Sequence, residues 1–184
     1  MLRNILILVL GFVLSTCTTT TEKPKDIPAC DPSEECTQTT TKESLFEEIT
    51  MEEALSFFQS GKDAILYFGF DDCPWCKEAA PILKEVADQT NQKVLYVKVR
   101  DENHDLMYTD QQREQLSQYI SEWMRINEEQ DGKLWLYVPL VICIKDGTAT
   151  DGHEGTVDDH DATERSMTEQ EKKQLEQIYT QMMD

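Results

Sequence analysis

Cys73-Pro74-Trp75-Cys76 places two thiols three positions apart, just after an apolar run that ends at Phe70. If a helix starts there, the second thiol lies one turn beyond the first, within reach to close a disulfide. A thiol at a helix N-terminus also faces unpaired amide donors and the positive end of the helix dipole, and both favour thiolate over thiol. Pro74 suits the first turn, where its missing N–H is not needed. The chemistry this arrangement can perform is thiol–disulfide exchange, with Cys73 as the exposed nucleophile, Cys76 as the more buried resolving thiol, and Trp75 as an aromatic able to touch a substrate. Half a zinc site or two structural cysteines are the alternatives. A four-ligand zinc site needs two more well-spaced ligands, and His104, His153 and His160 are scattered. Redox use is therefore favoured, with no metal and no organic cofactor.

The pair needs a scaffold, and the surrounding sequence supplies its elements. Thr50 to Glu53 reads as a capping box opening a helix whose apolar face (Ala54, Leu55, Phe57, Phe58) ends at Gly61. Ala64 to Phe70 is a continuous apolar run of strand length, suited to the centre of a sheet. Pro74 to Thr90 reads as a helix with Pro81 as a kink, Lys93 to Val99 alternates as a strand, and Asp110 to Glu129 reads as a helix. Val138 to Ile144 is a third strand, turned by Lys145-Asp146-Gly147 into a fourth. Thr168 to Glu171 is a second capping box, opening a C-terminal helix. Alternating elements followed by a hairpin and a helix imply an α/β sandwich around a mixed sheet.

Strand, CxxC and helix over Ala64 to Thr90, the helical Pro81, and Val138-Pro139 leading into a strand and Lys145-Asp146-Gly147 together resemble the thioredoxin superfamily, over roughly Leu45 to Asp184. The resemblance implies a thioredoxin-like three-layer sandwich, a central mixed β-sheet flanked by helices. One extra helix would precede the proline strand, over Asp110 to Glu129. It also implies that Pro139 is a cis-proline facing the active pair, and that Val138 offers its backbone to an extended substrate. Two departures stand out. Tyr67 occupies the place of the family's buried aspartate, which helps move protons during reduction. Gly69-Phe70-Asp71-Asp72 replaces the usual lead-in, and its two carboxylates are expected to face solvent. The layout and this local flavour look like the thioredoxin-like bacteriocin transport accessory proteins of Gram-positive bacteria.

The remaining cysteines suggest where the exchange takes place. Arg3, the apolar run Ile5 to Leu14 and then Leu14-Ser15-Thr16-Cys17 match a secretory signal, and ten apolar residues are too few to span a bilayer. The ending resembles the lipobox of bacterial lipoproteins, which implies a signal peptide over 1–16 and lipidation at Cys17; a cleaved signal followed by a free cysteine is the alternative. Residues 17–43 form a flexible Thr- and Pro-rich stalk, leaving 44–184 as the thioredoxin-like domain. Cys30 and Cys36 within the stalk suit a local structural disulfide outside the cytoplasm, or else a second redox pair. Cys143 alternates into a buried strand. Asp151 to Glu164 lacks the spacing of a calcium loop and reads as a solvated acidic loop.

The chain has 184 residues and a formal net charge of −19, from 36 acidic and 17 basic side chains. Nucleic-acid binding through clustered cations is excluded on that balance. The expectation is a membrane-tethered, extracytoplasmic thiol–disulfide oxidoreductase acting on secreted peptides or proteins, together with a redox partner protein. The missing buried aspartate leans towards oxidation or isomerisation. A non-catalytic accessory lipoprotein with the same fold, and a metal-delivery protein, are the competing readings.

Overall fold

The computed structural model describes residues 46–130 and 132–184. The signal peptide 1–16, Cys17, the stalk 17–43 and the Cys30–Cys36 pairing lie outside the described residues. The first described segment is a strand with no hydrophobic signal of its own, β1 (Phe46–Ile49). Thr50 then caps α1 (Met51–Ser60), its hydroxyl accepting from the Glu53 amide while the Glu53 carboxylate accepts from the Thr50 amide. Gly61, at φ +68°, ends the helix in the left-handed conformation that glycine adopts without penalty. The apolar run forms β2 (Ala64–Gly69), the motif helix is α2 (Pro74–Thr90), which continues through Pro81, and β3 (Val94–Lys98) follows.

The helix expected over Asp110 to Glu129 stops early. Thr109 caps α3 (Asp110–Ile120), and a single 3-10 turn, Ser121–Trp123, leads into a small hairpin of β4 (Arg125–Asn127) and β5 (Lys133–Trp135). The turn chemistry explains the difference. The Asn127 side chain accepts from the Glu129 amide and the Asn127 carbonyl accepts from the Gly132 amide, with Gly132 at φ +65°, so the polar stretch closes a loop instead of extending a helix. The next strand starts two residues later than its apolar run suggests: β6 (Leu140–Lys145) follows a cis Val138–Pro139 peptide. β7 (Thr148–Glu154) and α4 (Glu169–Met183), capped by Thr168 and Glu171, complete the domain.

Five strands make one mixed sheet in the order β1-β3-β2-β6-β7, with β1, β3 and β2 parallel and β6 and β7 antiparallel. Because β2 is central, both of its faces are buried, and its residues divide between two cores. Leu66 and Phe68 join Leu95, Val97, Leu140 and Ile142 under α1 and α3. Tyr67 joins Val94, Val141, Leu83, Leu175 and Tyr179 under α2 and α4. The result is the thioredoxin-like α/β fold, with helices on both faces of a mixed sheet and the motif at the C-terminal end of the central strand.

Candidate redox site

Cys73 is the N-cap of α2, and Pro74 occupies its first turn. The strand–turn–helix geometry aims the Cys76 amide at Cys73 Sγ, 3.1 Å away, a contact that stabilises negative charge on that sulfur. The two cysteines are at disulfide distance, with Cα atoms 5.1 Å apart. Both are only 3% exposed, so Cys73 is as covered as Cys76 and not the more accessible of the two. The covering is local: Trp75 and Val138 stand beside Cys73 around a shared cavity.

The cis Val138–Pro139 bond lies across from the pair, with the Val138 carbonyl oxygen 3.8 Å from Cys73 Sγ. This segment is pinned from behind, where the Gly155 amide donates to the Pro139 carbonyl at 2.7 Å. Val138 and Cys73 are 65 positions apart in sequence and meet because β2 and β6 are antiparallel neighbours.

Asp71 and Asp72 face solvent and are each matched to a lysine, Asp71 with Lys98 at 2.6 Å and Asp72 with Lys77 at 3.2 Å. Their charge at the motif is thereby partly offset. Tyr67 is buried beneath α2, stacks on Tyr96 with ring centroids 5.4 Å apart, and meets Phe46 edge-on. Burial, with the neighbouring Tyr96 and Asp71, pushes its phenol far above the usual tyrosine range, so it stays neutral. Cys76, Tyr67, Tyr96 and Asp71 line an open cleft of about 530 Å³ behind the motif helix.

Several features at the site were not visible in the sequence. Arg113 on α3 is 2% exposed; its Nη1 donates to the Leu134 carbonyl at 2.6 Å and its guanidinium lies over the Trp135 ring, tying the hairpin to the helix. The stretch expected to be a solvated acidic loop is partly buried. Its first residues belong to β7, Thr156 hydrogen-bonds His160 Nδ1, and His160 Nε2 donates to the Arg165 carbonyl. Among the described residues no three His, Cys, Asp or Glu side chains are grouped to hold a metal ion. Cys143 is buried, as its alternation suggested, and burial pushes its thiol up to about 11.

With that geometry in hand, the chain can be set beside known proteins. The family model described as TraF: F plasmid transfer operon protein matches residues 27–121, a span that includes Cys73 and Cys76 and ends before Pro139. Thioredoxin from Malassezia sympodialis (Mala s 13) is 15% identical, with 76% of this chain and 94% of that one covered at a TM-score of 0.43. Thioredoxin from Plasmodium falciparum is 14% identical, covering 74% and 97% with a TM-score of 0.40. Oxidised thioredoxin O2 from Arabidopsis thaliana is 18% identical, covering 74% and 96% with a TM-score of 0.37. A search of the curated proteins finds no match.

Proposed function

The chain belongs to the TraF family of F plasmid transfer operon proteins, and from that premise we propose that it is a membrane-tethered, extracytoplasmic thiol–disulfide oxidoreductase. The observation that carries this reading is the Cys73–Cys76 pair at disulfide distance on a helix N-terminus, opposite a cis-proline. In the oxidising direction, a substrate thiolate attacks Cys73 Sγ and the Cys73–Cys76 bond breaks, releasing Cys76 as the thiolate. A second substrate thiolate then attacks the substrate sulfur of the mixed disulfide. Substrate leaves with a new disulfide, and Cys73 and Cys76 remain as a dithiol after taking up protons. Reduction runs the same steps backwards. Val138 and Pro139 hold the substrate chain beside Cys73. A neutral Tyr67 where a proton-accepting carboxylate would aid reduction favours oxidation or isomerisation.

Tethering rests on the sequence before the domain: the short apolar run Ile5 to Leu14, Cys17 as the lipidated residue, and the stalk to residue 43. Among the described residues no helix is long and apolar enough to cross a membrane. Substrates are cysteine-bearing secreted peptides or proteins, and proteins encoded alongside the chain are the first to test.

Insulin reduction and peptide oxidation by the purified protein, with Cys73→Ala as control, test the chemistry. Activity that depends on Cys73 supports the reading, and full in vivo function of Cys73→Ala would sink it. A Cys76→Ala variant should accumulate mixed disulfides with its natural partner, identifiable by mass spectrometry.

A further inference from the structure

The loop between β7 and α4, residues 155–168, is tied to both sides of the redox site. At its start the Gly155 amide donates to the Pro139 carbonyl at 2.7 Å, next to Val138, whose own carbonyl oxygen lies 3.8 Å from Cys73 Sγ. Near its end the Met167 amide donates to Glu78 Oε2 at 3.2 Å, and Glu78 is on α2, two residues after Cys76. One stretch of chain therefore reaches from the Val138–Pro139 segment to the helix that carries the thiol pair.

A buried polar series holds this stretch in shape. Thr156 and His160 are 4% and 8% exposed, and a hydroxyl and an imidazole buried that far are costly unless their polar atoms are paired. Here they are. The Arg165 carbonyl can only accept, so His160 Nε2 carries the proton of the neutral ring and donates to it at 3.0 Å. His160 Nδ1 then accepts from the Thr156 hydroxyl at 2.7 Å. The Thr156 carbonyl in turn accepts from His153 Nε2 at 2.6 Å. Arg165 continues the series through a two-pronged pair with Glu171, at 2.7 and 2.8 Å, in the first turn of α4. Thr156 and His160 also line a cavity of about 420 Å³ together with Trp75 and Val138, so this lock stands at the redox site.

We propose that Thr156 and His160 are positioning residues: their hydrogen bond sets the loop that fixes Pro139, and so holds the Val138 carbonyl against Cys73 Sγ. This rests on the thiol–disulfide reading and concerns how that site is tuned. The consequence is electrostatic. A carbonyl oxygen is the negative end of its dipole, and one held beside a sulfur opposes its ionisation. It works against the Cys76 amide, 3.1 Å from the same sulfur, which favours the thiolate. With the loop loosened the carbonyl can turn away, and the Cys73 thiol ionises at lower pH.

The test uses the full chain carrying Cys76→Ala, alkylated with iodoacetamide over a pH series, with modification at Cys73 followed by mass spectrometry. The charged side chains at the motif and its cavity, Asp71, Asp72, Lys77 and Arg100, stay in place in every variant. Thr156→Val and His160→Gln break the same hydrogen bond from its two ends, since glutamine puts its amide nitrogen where Nε2 stood and leaves the Thr156 hydroxyl unmet. Each should lower the midpoint of the Cys73 profile by about half a pH unit, about a threefold gain in rate below both midpoints. Thr156→Ser should keep the parent midpoint, and the double variant should shift no further than either single one. Exchange of the Gly155 amide should be slow in the parent and quicken in both single variants. A folded variant of either kind with the parent midpoint would overturn the proposal, as would a midpoint that moves while Gly155 exchange does not, or a Thr156→Ser shift equal to that of Thr156→Val. Exchange of the parent's Gly155 amide at the rate of an unstructured chain would overturn it with no substitution at the loop. Alkylation needs no disulfide partner, so the chemistry is read separately: a chain with Cys73 and Cys76 intact that fails to exchange with dithiobis(nitrobenzoate) at Cys73 would overturn the thiol–disulfide reading and leave the positioning result standing.

Discussion

Replacing Arg113 with alanine should loosen the hairpin that borders Cys73, and the structure allows the size of the effect to be worked out. The guanidinium donates to the Leu134 carbonyl, a charge-assisted hydrogen bond contributing roughly 2 kcal/mol. Its position 5.3 Å from the Trp135 ring centroid adds about 1 kcal/mol. The buried three-carbon stem contributes about 2 kcal/mol more. The ion pairs to Asp110 and Glu114 add little, because those carboxylates are 69% and 62% exposed. Against this stands Nη2, buried without a hydrogen-bond partner among the described residues, at a cost of about 2 kcal/mol. Arg113→Ala should therefore destabilise the domain by about 3 kcal/mol. Arg113→Met, which keeps the apolar stem and removes the unpaired nitrogen, should lose only about 1 kcal/mol. Urea unfolding read at unchanged slope measures both. Amide exchange at Lys133 to Trp135 should rise in the alanine variant before global unfolding does. An alanine variant within about 0.5 kcal/mol of the parent would refute the anchoring role, and a methionine variant as damaged as alanine would refute the division between stem and charge.

Other perturbations have equally direct readouts. Gly147 sits at φ +74°, and a Cβ there would lie 2.6 Å from the Phe58 carbonyl oxygen and 2.8 Å from Gly61 Cα, both backbone atoms. Gly147→Ala should cost at least about 2 kcal/mol, seen as a lowered thermal midpoint. Thr168→Ala removes the cap of α4 and should cost about 1 kcal/mol, while Thr168→Ser should retain most of the stability. Cys143, with its thiol raised to about 11, should resist alkylation at pH 8 in the folded protein and react on unfolding. The same shift sets a pH dependence. The folded state holds this proton more tightly than the unfolded chain, so the contribution is complete below pH of about 8.5 and is lost as pH rises towards about 11, amounting to roughly 2–3 kcal/mol. A denaturation midpoint that stays level between pH 8 and 11 in the parent but falls in Cys143→Ala would contradict this.

Local signals carried most of the architecture, because they are short-range physics written in adjacent residues. The boxes at Thr50 and Thr168, the glycine after α1, and the apolar run before Cys73 each fix an element from within a few positions. β1 escaped because Phe46-Glu47-Glu48-Ile49 leaves both glutamates exposed at a sheet edge and shows no apolar run. The hairpin escaped because Glu128-Glu129-Gln130 looks like a polar helix face until the Asn127 and Gly132 turn is seen. The redox pair was legible for the same reason as the helices: three positions separate its members. Its surroundings were not. Leu106 reaches the cavity beside Cys73, and Arg113 reaches the hairpin that borders it, through tertiary packing, and nothing in their own neighbourhoods marks them as belonging to a site.

Cys73 and Cys76 face different compartments. One sulfur borders the cavity enclosed by the hairpin and the cis-proline stretch, and the other borders the open cleft roofed by α2 and floored by two stacked tyrosines. A disulfide placed this way acts as a partition. The front is lined by Pro74, Trp75 and Val138 and the rear by Tyr67, Tyr96, Lys77 and Asp71, so the two cysteines of one bond meet surroundings of different chemistry.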